Sequence, residues 1–362
     1  MNTRQDTQNS INFQTKAAIS LLKKLISTPS FSKEEQPTAV LIKAFFEAQH
    51  IETHRKINNV WAFNRYFDPN KPTILLNSHH DTVRVNPSWT LNPFEPLVED
   101  GKLFGLGSND AGGALVSMMA TFAHFYDRPD LAYNLVLAAT AEEEISGRDG
   151  IELILGDLPP IDFAIVGEPT DMNLAIAEKG LLVLDCVAHG RSGHAAREEG
   201  ENAIYKAMKD IAWLTSYSFP KVSPTLGAVK MSVTIINAGS QHNVVPDKCQ
   251  FTVDVRVTEQ YTLEEVIETI KTNITSEILP RSIRLKPSQI ASEHPIVRAG
   301  VALGKITYGS PTTSDQAMLN CPSLKCGPGH SGRSHTANEF IYLHEIEAGI
   351  AQYVKMLEAV LG

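Results

Sequence analysis

Apolar residues recur at helical spacing over residues 14–26, with Ile19, Leu22 and Ile26 sharing a side. Ser32 and Glu35 stand three apart ahead of Val40, Leu41, Ala44 and Phe45, a spacing that predicts a second helix opened by a capping box. Short apolar runs then follow at 73–78, 134–141 and 163–166, each of strand length, with a helical stretch at 112–125 between the first two. Strands alternating with helices predict an α/β domain with helices on both faces of its sheet.

The pattern changes at about residue 179. Residues 181–188 read as a strand, and 202–214 as a helix with Ile204, Met208 and Ile211 on one face. Two strands follow at 229–237 and 250–257, the latter alternating Phe251, Val253 and Val255 with polar neighbours. Thr262 and Glu265 form a capping box for a helix over 262–274, and 282–286 reads as a short last strand. The order βαββαβ is that of a ferredoxin-like module. After residue 289 the strand and helix pattern returns and ends in a helix near 344–361. The expectation is a discontinuous large domain, 1–178 plus 289–362, with a smaller module at 179–288 inserted.

Composition removes several function classes. A net charge of -9 without a basic block argues against nucleic acid. The opening MNTRQDTQNS is polar, and no apolar run reaches the ~18 residues that span a bilayer, so a cytoplasmic chain with no membrane partner is expected. Cys186, Cys249, Cys321 and Cys326 are scattered, which reads as reduced structural thiols.

Candidate chemistry gathers where strands end. His79 and Asp81 follow the strand at 73–78, in the position where open α/β sheets collect ligands. A His and an Asp two apart can act as ligand and orienter, although such a pair is more often structural. Gly105-Leu106-Gly107-Ser108-Asn109-Asp110 has an Asp where a dinucleotide fingerprint has its last glycine, and that carboxylate would repel pyrophosphate. It suits a metal ligand, or simply a helix cap. Glu142-Glu143-Glu144 ends the strand at 134–141; extended backbone there would send neighbouring glutamates to opposite sides, and their repulsion calls for cations. Glu168 ends the next strand, and His330 and His335 lie in a glycine-rich loop from Gly327. Carboxylates and imidazoles without cysteine suit zinc, cobalt or manganese in a hydrolytic site.

At these residues the chain resembles the metallohydrolase family of acetylornithine deacetylase, succinyl-diaminopimelate desuccinylase, aminoacylase and carboxypeptidase G. The likeness runs in order through SHHDTV, GLGSNDAGG, TAEEE, GEPT, GRSGHAA, NVVPD, DVR and GPG…SH…NE, and covers nearly the whole chain. It implies a zinc-dependent exopeptidase-like α/β catalytic domain carrying an inserted ferredoxin-like dimerisation domain. It further implies two zinc ions per subunit, with cobalt able to substitute. One would be held by His79, Asp110 and Glu168, and the other by Asp110, Glu144 and His335. Asp81 would orient His79, Glu143 would be the general base, and Glu142 and His330 would stand outside the ligand set. A cis peptide is implied at Asp110–Ala111.

In the same way, His194 would stabilise the oxyanion from a partner subunit of a homodimer, and Asn243 would also be contributed across subunits. Arg256 would grip the substrate α-carboxylate; without the motif, a surface histidine and a strand salt bridge are the plainer readings of His194 and Arg256. Arg197 and Arg333 are candidates for a succinyl carboxylate, against the alternative of solvated loop arginines. Gly112, Leu106 and Glu198 depart from the family pattern at positions away from the ligands. The expected reaction is hydrolysis of the amide of a small N-acyl-L-amino acid, foremost N-acetyl- or N-succinyl-L-ornithine in arginine biosynthesis. Succinyl-diaminopimelate desuccinylation and a metallo-dipeptidase or carboxypeptidase are the alternatives. The presence of every ligand position counts against a metal-free binding homologue.

Overall fold

The computed structural model describes residues 3–197 and 199–362, with side chains from residue 8 onward, so Glu198 lies outside the described residues. In chain order the principal elements begin with helices α1 (Thr3–Ile26) and α2 (Gln36–Glu47) and strands β1 (His54–Lys56), β2 (Asn59–Phe63) and β3 (Thr73–His79). Helix α3 (Gly113–Phe125), β4 (Asn134–Thr140) and β5 (Phe163–Val166) follow. Next come β6 (Gly180–His189), α4 (Ala203–Ser216), β7 (Lys230–Ala238), β8 (Lys248–Val257), α5 (Leu263–Lys271) and β9 (Glu277–Pro280). Strand β10 (Ser323–Lys325) and helix α6 (Leu343–Leu361) complete the set. The chain forms two compact units, one of Met1–Ile176, Ile290–Tyr308 and Ser314–Gly362, the other of Ala177–Gln289 and Gly309–Thr313.

The first unit is built on a mixed sheet of nine strands, six of which run in the order β1-β2-β4-β3-β5-β10. Its centre is parallel, with β4 and β5 flanking β3 and β10 beside β5, while β2 runs antiparallel to β4. Every residue of β3, β4 and β5 is buried, as expected of strands covered on both faces. Alternation sorts them: Ile74, Leu76, Leu135, Leu137 and Ile165 join the core that includes α1, α2, α3 and α6. Leu75, Val136, Ala138 and Val166 face the other way, onto Ile151 and Ile154. Each fully buried Leu, Ile or Val side chain among them contributes about 1.5–3 kcal/mol. The carboxyl ends of β3, β4 and β5 therefore open on one edge, where His79, Glu142–Glu144 and Glu168 lie.

Helix α2 does not start with the expected capping box. Its N-cap is Glu35, whose side chain makes no cap, and Pro37 in the first turn supplies the preset backbone instead. The buried face is Thr38, Ala39, Ile42 and Phe46, one position displaced from the expected stripe, and Val40 is exposed.

The second unit is an antiparallel sheet in the order β7-β8-β6-β9, the ferredoxin-like arrangement of a βαββαβ chain. Its core unites Leu182, Leu184, Phe251, Val253 and Val255 with Ala203, Ala207 and Leu214 of α4 and Val266 and Ile270 of α5. The capping box of α5 is present: Glu265 N–H donates to Thr262 Oγ1 (3.1 Å), and Thr262 N–H to Glu265 Oε2 (2.9 Å). Two expectations are corrected here. The last strand is Glu277–Pro280, because Ile278 fills the core, whereas 282–286 forms no strand. Helix α4 buries its small residues Ala203 and Ala207 against the sheet, and leaves Met208 and Tyr205 exposed. Among the described residues no helix is long and apolar enough to cross a membrane.

Candidate functional site

The end of β3 delivers His79 and then Asp81, both about 1% exposed. Nδ1 of His79 lies 3.0 Å from the Asp81 carbonyl and 3.4 Å from Asp81 Oδ1, so Asp81 sets the ring from behind. Its carboxylate does more than the sequence suggested. Oδ1 accepts the Glu143 N–H (3.0 Å), and Oδ2 accepts the Glu144 N–H (3.2 Å) and the Ser32 hydroxyl (2.7 Å). One buried carboxylate thus fixes both the imidazole and the backbone of the two glutamates.

The glutamate run is not extended, which corrects the reason for separating its side chains. Glu142 takes a left-handed backbone, φ 56°, and Glu143–Ile145 form a single tight turn. Successive N–H groups meet side-chain oxygens: Ala141 donates to Asn59 Oδ1 (3.0 Å), and Glu142 to Glu35 Oε1 (3.2 Å). Glu142 itself is buried, away from the imidazoles.

Asp110 sits in an irregular turn at Ser108–Gly112 ahead of α3, and the Asp110–Ala111 peptide is cis. Asn109 stitches this turn to the glycine-rich loop, donating to the His330 carbonyl (3.1 Å) and accepting the His330 N–H (3.0 Å). A Cβ at Gly327 would meet the Glu168 carbonyl at 2.5 Å, so only glycine lets this loop pass the end of β5.

The side chains converge. His79 Nε2 lies 3.5 Å from Asp110 Oδ1, 3.8 Å from Glu143 Oε2 and 3.9 Å from Glu168 Oε1. His335 Nε2 lies 3.0 Å from Glu144 Oε2 and 3.5 Å from Asp110 Oδ2, which places Asp110 between the two imidazoles. His79, Asp110 and Glu144 offer atoms within 4.8 Å of one another, as do His79, Glu143 and Glu168. His79 Nε2 is buried without a hydrogen-bond partner among the described residues, a costly arrangement unless an electron-pair acceptor fills the space.

Electrostatics point the same way. Burial would keep His79 neutral, but Glu143, Asp110, Asp81 and Glu168 outweigh it and raise the ring well above its ordinary value. Burial and the surrounding carboxylates raise Glu143 strongly and push Glu168 up to about 8. The Glu144 carboxylate holds His335 up at about 9. Carboxylates here outnumber imidazoles, and divalent cations would relieve the repulsion.

Two buried carboxylates were missed. Asp315 accepts the Thr140 hydroxyl (2.7 Å), and burial raises it to about 6. Glu339 is 2% exposed behind Asp110 and is pushed by burial and Asp110 to about 8. The NE in the last motif was the only signal for Glu339; for Asp315 there was none.

The remaining candidates divide. His194 and Asn243 lie together in the second unit, where Gly193–His194 pairs with Val244–Val245 and Ala195 N–H donates to the Asn243 carbonyl (2.9 Å). His194 is exposed. Arg256 gives Nε and Nη2 to Asp254 (2.8 and 3.0 Å), and Nη1 reaches Thr313 Oγ1 at 3.3 Å. Arg333 is closed bidentately on Glu345 (2.7 and 2.9 Å) and stacks on Phe340 and Tyr342, so its fork is not free for a succinyl carboxylate. Arg197 is two-thirds exposed and pairs loosely with Glu199 at 3.7 Å.

Residues 75–359 match the peptidase family M20/M25/M40. The chain is 27% identical to a succinyl-diaminopimelate desuccinylase of Buchnera aphidicola subsp. Acyrthosiphon pisum (strain Tuc7), over 70% of this chain and 72% of that one. It is 27% identical to an acetylornithine deacetylase of Proteus mirabilis (strain HI4320), over 93% and 95%. Its fold superposes on a dinuclear metal-binding M20 peptidase from Bacillus subtilis with a TM-score of 0.74, at 17% identity over 97% and 99% of the chains.

Proposed function

The chain belongs to the peptidase family M20/M25/M40, and from that premise we propose that this hydrolase cleaves the amide of a small N-acyl-L-amino acid at a two-zinc centre. The observation that carries the reading is the orphaned Nε2 of His79, aimed at Asp110, Glu143 and Glu168. His79, Asp110 and Glu168 would hold one ion, and Asp110, Glu144 and His335 the other. When bound, such ions polarise a carbonyl and make water acidic enough to be deprotonated near neutral pH.

The protein's own residues do the rest. Glu143 takes the proton from water and passes it to the leaving amine. His194 donates to the developing oxyanion, reaching the centre of a partner subunit. Arg256 holds the α-carboxylate through Nη1, which Asp254 does not engage and whose contact in the protein is a 3.3 Å bond to Thr313 Oγ1, and Asn243 assists it. Arg197 is the arginine left to meet a succinyl carboxylate. Homodimerisation is supported by the second unit: β7 is an edge strand with exposed Ile235 and Ile236, and α4 exposes Tyr205 and Met208.

N-acyl-L-ornithine is the favoured substrate, acetyl or succinyl. Desuccinylation of diaminopimelate is the second reading, since a relative of equal identity bears that name. The test is turnover of N-acetylornithine, N-succinylornithine, N-acetylcitrulline and N-succinyl-diaminopimelate with zinc or cobalt. Hydrolysis of an ornithine derivative above the others supports the first reading. Preference for the diaminopimelate compound replaces it with the second, and cleavage of dipeptides alone overturns both. Mixing His194→Ala with Glu143→Gln tests the shared site: regained activity in mixed dimers is expected, and none if each subunit works alone.

A further inference from the structure

The end of the last motif, Asn338-Glu339, has no role in the chemistry above, yet Glu339 is among the most deeply buried acids of the first unit. Its carboxylate meets three backbone donors of a single turn. Oε1 accepts the N–H of Asn109 (2.8 Å) and of Asp110 (2.9 Å), and Oε2 accepts the N–H of Gly107 (3.1 Å). Gly107 has φ 73°, a left-handed conformation that turns its N–H toward the same point as those of residues 109 and 110. The turn is thus an anion cradle filled from behind by the protein's own carboxylate, with the Asp110 side chain directed forward between His79 and His335.

From this geometry we infer that Glu339 is a positioning residue, which fixes the turn of Asp110 so that its two oxygens address both metal sites. The inference rests on reading Asp110 as the shared ligand. A bridging carboxylate must present both oxygens at once, so a rotation of its peptide disturbs both sites together. Asp110 precedes the regular helix, which begins at Gly113, and its own N–H is given to Glu339 rather than to a preceding turn. The three N–H bonds to Glu339 supply that restraint.

The test uses full-length Glu339→Gln, Glu339→Asp and Asp110→Asn proteins. Folding is checked by circular dichroism, zinc affinity by competition with a chromophoric chelator, and kcat and KM on the best substrate of the panel. Glu339→Gln sets an amide donor against a backbone N–H. Glu339→Asp keeps the charge but withdraws the carboxylate by one methylene. Both variants are expected to bind zinc ~10–100-fold more weakly at both sites, the scale for residues behind metal ligands. At saturating zinc, both should lose kcat with little change in KM.

Parental zinc affinity and kcat in both folded variants overturn the inference. So does a Glu339→Asp protein that behaves as the parent while Glu339→Gln does not, because charge rather than placement would then be the cause. Asp110→Asn separates the two levels of argument. If it loses zinc while the Glu339 variants keep theirs, only this inference fails; if Asp110→Asn retains both ions, the bridging assignment fails with it.

Discussion

In the first unit Asp81, Asp315 and Glu339 are buried behind a cluster of further carboxylates, whereas in the second Asp185, Glu201 and Glu277 pair at the surface with Arg281, Lys206 and His189. Asp210, a deeply buried acid of the second unit, is satisfied by the N–H and hydroxyl groups of Thr275 and Ser276. Around His79, burial first and then the neighbouring acids raise Glu143 and Glu168. Buried like charges persist where a counter-charge is part of the working protein. The contrast predicts different dependences: a first unit whose stability responds to cations, and a second whose stability does not.

The sharpest way to break this comparison is at Glu143. Glu143→Gln removes one acid from the cluster and is expected to lower kcat ~10²–10⁴-fold, about 3–5 kcal/mol, while zinc stays bound. Loss of zinc with the side chain would mean that Glu143 and Glu144 have exchanged roles, an outcome worth measuring because each lies near an imidazole, Glu143 at 3.8 Å from His79 and Glu144 at 3.0 Å from His335. Next in size is cation linkage. Zinc at 1,000 times its dissociation constant should stabilise the first unit by about 4 kcal/mol over the chelated protein. Hydrogen exchange read on peptides of each unit checks this, and equal protection of both units would dissolve the contrast.

A smaller effect concerns His80, which sits among these acids yet is kept neutral. Burial lowers it to about 4, with Thr38 and Asn58 at its two ring nitrogens. Its folded value lies below the ordinary 6.5, so its contribution is complete above pH 6.5. That contribution is lost as pH falls toward 4, because the unfolded chain takes up the proton first. The total is on the order of 3 kcal/mol. The raised carboxylates titrate with the opposite sign, so the measurement is the difference in urea stability between parent and His80→Gln across that window. A difference that does not shrink with falling pH contradicts the assignment. The smallest effect is a control in the second unit: Thr262→Ala should cost about 1 kcal/mol through its capping box and leave zinc affinity untouched.

What the sequence made legible follows from what is local. The runs at β3, β4 and β5 are buried on both faces, so apolar continuity alone located them; Thr262 and Glu265 are three residues apart and cap their helix directly. Ser32 and Glu35 offered the same spacing, but Ser32 is taken by Asp81 and Glu35 by Lys33, Asn58 and Glu142, partners distant in sequence except for Lys33. On α4, alanines pack close to the sheet and the larger Met208 is left outside, which hydrophobicity by itself ranks the wrong way round. At the site, the motif order brought His79, Asp110, Glu143, Glu144, Glu168 and His335 into one place. The left-handed turn at Glu142 and the acids Asp315 and Glu339 escaped it, because tertiary hydrogen bonds alone decide them.

The discontinuity of the first unit also sets an order of assembly. A chain emerging from the ribosome has delivered His79, Asp110, Glu144 and Glu168 long before His335 is made, and β5 meanwhile waits with one edge unpaired. The second unit, whose four strands and two helices are contiguous apart from Gly309–Thr313, can collapse first. Strand β10 and helix α6 then serve as a latch. The stretch from residue 323 onward both covers the open edge of the parallel sheet and carries in His335, so a nascent chain halted before residue 323 would present an adhesive strand edge together with a half-built cation trap.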